Sequence, residues 1–251
     1  MDLELSGKKA IVTGGSRGIG KAIARQLAKE GVDVGIAARD QGRVDSAAAE
    51  LAAETGRRVC PWACDTGDDD SVRGMVAGLA ASLGGVDILV NAAAKVGGLT
   101  APPKLAEITT DEVWDEVNTK VMGYVRCARE AAPHMIHHGW GRIVNISGLA
   151  ARQTGSTIGS IRNIAVAAMT KNLADELGPL GINVTCVHPG MTRTERTTDA
   201  QLEVAKRNSI GRMVDAEEVA YLVTFLASPK SVGINGDTIA CGGGTRGAIH
   251  Y

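Results

Sequence analysis

A glycine-rich turn lies near the start of the chain, where residues 13–20 read Thr-Gly-Gly-Ser-Arg-Gly-Ile-Gly. An apolar segment typical of a strand precedes it, and an Ala-rich segment typical of a helix follows. Glycines allow close backbone approach to a ligand, and the start of a helix offers unpaired N–H groups and a positive dipole end. This order predicts a site for the pyrophosphate of a dinucleotide. The predicted contacts are Gly14, Ser16, Arg17, Gly18, Ile19 and Gly20.

The end of the second predicted strand bears on which dinucleotide is bound. It reads Ala-Ala-Arg at residues 37–39, where a site selective for NAD(H) would place a carboxylate on the ribose 2′-hydroxyl. Arg39 can instead form a charge-assisted pair with a 2′-phosphate, and Arg17 can approach it from the glycine turn. We therefore predict NADP(H) in preference to NAD(H). The alternative is that Arg39 is a solvated surface charge.

Short β-branched segments alternate with longer Ala-rich segments along the whole chain. Helices are predicted at about residues 18–30 and 42–54 and from about residues 69, 111, 159 and 215, with strands between them. Two long loops are predicted, one from Ala94 to Ile108 and one from Met191 to about Ala200. Apolar strands joined by crossover helices form parallel sheets. The sequence therefore predicts a single doubly wound α/β domain of the Rossmann type over residues 1–251, with a mostly parallel seven-stranded sheet and helices on both faces.

Composition narrows the class of partner. With 27 Lys and Arg against 28 Asp and Glu, the formal net charge is -1, so no broad basic field attracts nucleic acid or an anionic membrane. The five cysteines lack the spacing of a metal site. The first ten residues lack the apolar run of a secretion signal, and no segment is as apolar as a membrane span. We expect a cytoplasmic protein that binds a small molecule and no metal.

Further motifs resemble the short-chain dehydrogenase/reductase family over nearly the whole chain. After the glycine turn these are Asp65, Asn91-Ala92-Ala93, the segment Gly-Arg-Ile-Val-Asn-Ile-Ser at 141–147, and the turn Pro189-Gly190. The resemblance implies that Asp65 contacts the adenine, that Asn91 and Ala93 lie beside the cofactor, and that Pro189, Gly190 and Thr194 hold its nicotinamide end. It also implies a small carbonyl or alcohol substrate and a homo-oligomer, either a tetramer or a dimer.

The catalytic pair of that family does not fit this sequence. Most members use a Tyr as general acid/base and a Lys four residues later that lowers the pKa of the Tyr. Aligned on segment 141–147 and on the helix that follows, these positions hold Gly159 and Asn163. Tyr124, Tyr221 and Tyr251 fall in other elements, so no small shift of register restores the pair. The resemblance therefore predicts an abnormal catalytic centre.

The same alignment suggests a rearranged catalytic set. Counting back from Pro133 places Lys120 where the family has a catalytic Asn, and Ser147 is the hydroxyl nearest to the family's Ser. On this interpretation Lys and Asn have exchanged places, so that Lys120, Ser147 and Asn163 form the set. A buried lysine with a depressed pKa can act as an acid or a base. The alternative leaves Lys120 in solvent on the long helix.

Two other side chains are weaker candidates for catalysis. The resemblance also implies that the loop from Met191 to about Ala200 covers the substrate. Ser160 could orient a substrate oxygen, and His188 could titrate near neutrality, although a packed or backbone-bonded His188 is the better interpretation. Arg193, Glu195 and Arg196 either touch a polar substrate or are simply exposed.

Three functions remain open at this point. The first is an NADP(H)-dependent oxidoreductase with a rebuilt proton relay. The second is a redox-neutral lyase, dehydratase or isomerase on the same scaffold. The third is a non-catalytic nucleotide-binding partner subunit.

Overall fold

The structure, a computed structural model, describes residues 1–95 and 101–244. Seven strands form one parallel sheet. They are β1 (Lys9–Thr13), β2 (Asp33–Ala38), β3 (Val59–Ala63), β4 (Ile88–Asn91), β5 (Gly141–Ile146), β6 (Ile182–Pro189) and β9 (Thr238–Cys241), and their spatial order is β3-β2-β1-β4-β5-β6-β9. The predicted fold class, a doubly wound α/β sheet of seven strands, is confirmed.

Helices pack on both faces of this sheet, and the apolar residues form two main cores, one on each face. The helices are α1 (Gly18–Lys29), α2 (Gln41–Thr55), α3 (Asp69–Leu83), α4 (Thr110–Glu116), α5 (Gly123–His137), α6 (Thr157–Leu177), α7 (Asp199–Ala205) and α8 (Ala216–Leu226). One core joins α1, α2 and α8 through side chains such as Leu27 and Val223. The other joins α3 and α5 through side chains such as Leu79 and Met135. Helices therefore cover both faces of the sheet.

The long helix predicted from about residue 111 is interrupted. A π-helical turn over Val117–Met122 separates α4 from α5, so the prediction of one continuous α-helix is wrong there. A π turn adds a residue to the helical repeat and rotates the side chains that follow, and such turns are frequent at functional sites. Here the turn carries Lys120, which is buried with 4% of its surface exposed.

The carboxyl ends of β1, β4 and β5 lie side by side. Thr13 is paired with Asn91, and Asn91 with Asn145, so the loops that follow these strands open on the same edge of the sheet. Ligands of open parallel sheets bind at this edge, next to the point where the strand order reverses. The order found here reverses between β1 and β4.

The two long loops of the sequence have different outcomes. Residues 96–100 of the predicted loop between Ala94 and Ile108 lie outside the described residues. The predicted loop from Met191 to about Ala200 contains a short strand β7 (Thr192–Arg193), which pairs with β8 (Val214–Asp215), and it leads into α7. Within the described ranges, none of the helices is both long enough and apolar enough to cross a membrane.

Candidate functional site

A cavity of about 670 Å³ lies at the carboxyl edge of the sheet. It extends from the glycine turn to the start of α6, and most of the residues singled out from the sequence line it. These are Gly14, Ser16, Arg17, Gly18, Ile19, Gly20, Arg39, Ala93, Lys120, Ser147, Asn163, Pro189, Gly190 and Thr194. Asp65 and Asn91 lie beside the cavity instead, since their neighbours Cys64, Thr66 and Ala92 form its wall.

The glycine turn brings backbone segments too close together for side chains. A Cβ added to Gly14 would lie 2.7 Å from the carbonyl oxygen of Ala92, and one added to Gly20 would lie 2.3 Å from that of Gly14. Gly14 and Gly18 also have positive φ angles of 68° and 55°, which side chains disfavour. The turn is therefore a cradle of bare backbone at the start of α1, as a pyrophosphate requires.

A carboxylate already lies at the start of α1. Arg17 precedes the helix without a side-chain cap, and the backbone N–H of Gly18 donates to Glu195 Oε2 at 3.2 Å. Glu195 belongs to the loop between β6 and α7. An anion at this place interacts favourably with the helix dipole. The start of α1 is therefore an anion-binding site, and the carboxylate of Glu195 occupies it.

Arginines surround this anion site. Arg17, Arg39, Arg43 and Arg196 all line the cavity. The pKa of Arg17 is lowered by partial desolvation first and then by repulsion from Arg196 and Arg43, while Glu195 acts in the opposite direction. Nε of Arg196 is buried without a hydrogen-bond partner among the described residues, and Glu195 Oε1 lies 3.9 Å from it. The cluster therefore suits a ligand with several negative charges, such as a nucleotide that carries an extra phosphate.

A polar network holds the strand ends beneath the cavity. Thr13 Oγ1 accepts hydrogen bonds from the backbone N–H groups of Ala92 at 3.1 Å and Ala93 at 3.2 Å. Asn91 donates to Asn145 Oδ1 at 2.9 Å, and Asn145 donates to Thr170 Oγ1 at 3.0 Å. These bonds tie β1, β4, β5 and α6 together. The role of Asn91 in this network is support of the sheet, with no contact to the cavity.

Lys120 reaches the cavity from the π turn. Its Nζ donates to the carbonyl oxygen of Ser147 and to Asn163 Oδ1, both at 2.9 Å. Burial first, and then the positive charge of Arg162, lower the pKa of Lys120 to about 7. An amine with this pKa gains and loses a proton near neutral pH, as a general acid/base must. Of the two placements open from the sequence, the structure shows the buried one.

Ser147 and Gly159 complete this side of the cavity. The Ser147 hydroxyl donates to the carbonyl oxygen of Asn163 at 2.9 Å, which leaves its lone pairs as acceptors. Gly159 lies in the first turn of α6, which Ser156 caps, and it presents only backbone to the cavity. Tyr124 is fully buried elsewhere and donates to the carbonyl oxygen of Ile146 at 2.9 Å. Tyr221 is exposed on α8, and Tyr251 lies outside the described residues.

The weaker candidates are occupied by structural contacts. His188 is buried, and its Nδ1 accepts a hydrogen bond from the backbone N–H of Gly148 at 3.3 Å, so the prediction of a packed, backbone-bonded histidine is confirmed. Ser160 donates to the carbonyl oxygen of Ala150 at 2.7 Å. In the covering loop, Arg193 forms an ion pair with Asp215.

Two arginines of the site were missed by the sequence interpretation. Arg43 lies in the first turn of α2 and lines the same cavity as Arg39, which precedes that helix. Arg162 lines the cavity one residue before Asn163 and forms an ion pair with Glu116 of α4. No local pattern links residues 116 and 162, because the contact depends on how α4 packs against α6.

The described parts of the chain contain no cluster of candidate metal ligands. All five cysteines are free thiols. Residues 1–95 and 101–244 contain no group of three His, Cys, Asp or Glu side chains placed to hold a metal ion.

Comparisons with known proteins show the family of the chain. The family profile described as Enoyl-(Acyl carrier protein) reductase matches residues 14–246. The short-chain reductase protein NovJ of Streptomyces niveus is 34% identical over 249 residues, which cover 94% of this chain and 92% of NovJ.

Two solved structures are also similar. The L-sorbose reductase of Gluconobacter frateurii, complexed with NADPH and L-sorbose, is 31% identical with a TM-score of 0.91, over 99% of this chain and 100% of that one. A short-chain dehydrogenase of Burkholderia cenocepacia in complex with NADP is 35% identical with a TM-score of 0.85, over 96% of this chain and 98% of that one.

Proposed function

The chain belongs to the short-chain dehydrogenase/reductase family, and we propose that it is an NADP(H)-dependent oxidoreductase that interconverts a small carbonyl compound and its alcohol. The observation that carries this proposal is that one cavity is lined both by the glycine turn and by the buried amine of Lys120. A group that could bind a nucleotide and a group that could transfer a proton thus line the same cavity. The NADPH and NADP complexes of the two similar structures support the choice of cofactor.

The residues of the cavity fit the proposed nucleotide. The bare backbone of the glycine turn and the start of α1 would hold the pyrophosphate. Arg17, Arg39 and Arg43 would hold the 2′-phosphate, because they carry positive charge that the described residues only partly neutralise. We assign the nicotinamide end to Pro189, Gly190 and Thr194 by resemblance. When bound, NADPH supplies the hydride to the carbonyl carbon.

The proton for the carbonyl oxygen comes, in this proposal, from Lys120. Gly159 and Asn163 occupy the positions of the family's catalytic Tyr and Lys, so the usual phenol is replaced by an amine that enters from another wall. Asn163 Oδ1 and the carbonyl oxygen of Ser147 fix Nζ at the cavity. In reduction the ammonium donates a proton, and in oxidation the neutral amine accepts one. General acid/base catalysis of this kind contributes about 10²–10⁴-fold to the rate.

We also propose that the protein acts as a homo-oligomer, a tetramer or a dimer. Large apolar side chains are exposed on α4, the π turn and α6, which pack against one another. They are Trp114, Met122, Ile161 and Ile164. Burial of such side chains against a second copy would remove apolar area from water. Sedimentation velocity of the purified protein tests this: a monomer at all concentrations would refute it.

The proposal is tested in two steps. Fluorescence titration with NADPH and, side by side, NADH should show micromolar binding with a clear preference for NADPH. The holoenzyme is then assayed for NADPH consumption with ketoses, small aldehydes, small ketones and 3-oxoacyl thioesters. No binding of either nucleotide would overturn the proposal. Binding without consumption across all four classes would reject hydride transfer and favour the redox-neutral alternative.

A further inference from the structure

Among residues 1–95 and 101–244, the amine of Lys120 has two hydrogen-bond acceptors. Its Nζ donates to the carbonyl oxygen of Ser147 and to Asn163 Oδ1. An ammonium has three N–H donors, whereas a neutral amine has two donors and one lone pair. Two acceptors therefore satisfy a neutral amine completely. By tetrahedral geometry its lone pair is directed away from both of them.

The surroundings of Lys120 also favour the neutral amine. Within residues 1–95 and 101–244 no carboxylate forms an ion pair with it, because Glu116, on its own helix, pairs with Arg162 of α6. Arg162 repels an ammonium, and burial opposes one. The remaining titratable neighbours, Tyr124 and Cys186, stay neutral at neutral pH because burial raises the pKa of each. Among the described residues, Cys186 and Glu116 offset these effects only in part, so that the pKa of Lys120 stays below its ordinary value.

The cavity has room for a carbonyl compound beside this amine. Lys120 and Gly159 both line it, and Ser156 Oγ lies 2.8 Å from the position that a Cβ on Gly159 would take. The cavity volume of about 670 Å³ exceeds that of a small ketone severalfold. A small ketone can therefore fit beside Lys120 whether or not a nucleotide is bound. A neutral, desolvated lysine in such a space is the type of residue that forms Schiff bases.

We propose that Lys120 forms an imine with an aldehyde or ketone bound in this cavity. The Nζ lone pair attacks the carbonyl carbon, and the C=O π electrons move to the oxygen, which takes a proton from Nζ to give a carbinolamine. The nitrogen lone pair then expels the hydroxyl group, which leaves as water with a second proton. One amine and one carbonyl give one imine and one water, with no change in oxidation state. This bond would serve redox-neutral chemistry at the carbon next to the carbonyl.

The inference rests on the proposed function for the carbonyl class of the ligand only. It requires neither a nucleotide nor hydride transfer. The two roles of Lys120 use opposite protonation states, the ammonium for reduction and the neutral amine for the imine.

Reductive trapping tests the inference. The intact protein is incubated at pH 7 with acetone or cyclohexanone, without NADPH, and then treated with sodium borohydride. Peptide mass spectrometry should find one alkyl group on Lys120 in the wild type and in Lys206→Arg, a surface control, and none at position 120 in Lys120→Arg. Lys120 should exceed the exposed lysines in labelling, because a pKa of about 7 against 10.5 makes its neutral fraction roughly 10³ times larger at pH 7.

Absence of an adduct on Lys120, while exposed lysines are alkylated to an equal or greater extent, would overturn the inference. The wild-type peptide map decides this even if Lys120→Arg does not fold. Failure of the proposed function gives a different result, namely no NADPH consumption while the adduct still forms. NADPH consumption without an adduct on Lys120 would support the proposed function and overturn the inference.

Discussion

Glu195 Oε2 accepts a hydrogen bond of 3.2 Å from the backbone N–H of Gly18, so the loop after β6 is attached to the start of α1 by a carboxylate. The start of a helix favours an anion, and the pyrophosphate of a nucleotide would need the same N–H group. We therefore expect Glu195 and the proposed nucleotide to compete for this N–H group. Binding of the nucleotide would release the loop that carries Glu195.

Glu195→Gln should tighten NADPH binding. The substitution removes the charge that repels the phosphates and weakens the competing interaction with the helix dipole. Interactions of this kind contribute about 0.3–1 kcal/mol, so the Kd should fall about two- to fivefold at low salt. Fluorescence titration measures it, with Glu203→Gln on the exposed face of α7 as the matched control. An unchanged or weaker affinity in Glu195→Gln would contradict the competition.

Arg39→Asp should reverse the choice of nucleotide. The new carboxylate would repel a 2′-phosphate and could accept hydrogen bonds from a ribose 2′-hydroxyl. A charge-assisted hydrogen bond contributes about 1.5–3 kcal/mol, so the Kd for NADPH should rise roughly 10- to 150-fold. The Kd for NADH should fall or stay constant.

The control for this change is Arg73→Asp, because Arg73 is an exposed arginine of α3 outside the cavity. Titrations with both nucleotides give the ratio of the two Kd values for each variant. If Arg39→Asp and Arg73→Asp have the same ratio as the wild type, Arg39 does not read the 2′-phosphate.

The pH dependence of catalysis should follow Lys120. Burial and Arg162 lower the pKa of Lys120 to about 7, so the ammonium needed for reduction is lost as the pH rises through 7. The reduction rate should be constant below that pH and fall about tenfold per unit above it. The oxidation rate should rise through the same pH, since it needs the neutral amine. Profiles of kcat/KM in both directions measure this.

The substitution Asn163→Asp tests whether Lys120 is the group that titrates in this pH profile. The new carboxylate would face Nζ across a distance of 2.9 Å, and an opposite charge at that distance favours the ammonium. The pKa of Lys120 should rise, and the fall in the reduction rate should move to higher pH. Asn163→Leu removes the acceptor without adding a charge, and it should not shift the profile upward. A profile that keeps its position in Asn163→Asp would mean that another group titrates.

Periodicity and turn chemistry were sufficient to predict the sheet and the glycine turn at the start of α1. Strand and helix lengths, together with the glycines at 14, 18 and 20, are local signals, and each acts through the backbone it belongs to. The seven parallel strands and the cavity at their carboxyl edge follow from them.

The catalytic side of the site could be predicted only in part. Lys120 was found by alignment, but its burial depends on the π turn, which has no sequence pattern of its own. The contact of Glu195 with Gly18 joins residues 177 positions apart in the chain, and the pair of Glu116 and Arg162 joins residues 46 positions apart. Such contacts are set by tertiary packing, so local patterns do not contain them.

The most direct test of the central claim is the rate of NADPH-dependent carbonyl reduction by Lys120→Met, at pH 6.5, beside the wild type and the exposed control Lys206→Met. Methionine keeps an unbranched side chain that is one atom shorter, and it removes the amine. We predict that kcat falls about 10²–10⁴-fold in Lys120→Met only, that the Kd for NADPH is unchanged, and that Lys206→Met equals the wild type. A folded Lys120→Met with wild-type kcat would contradict the account, because the proton would then come from another group.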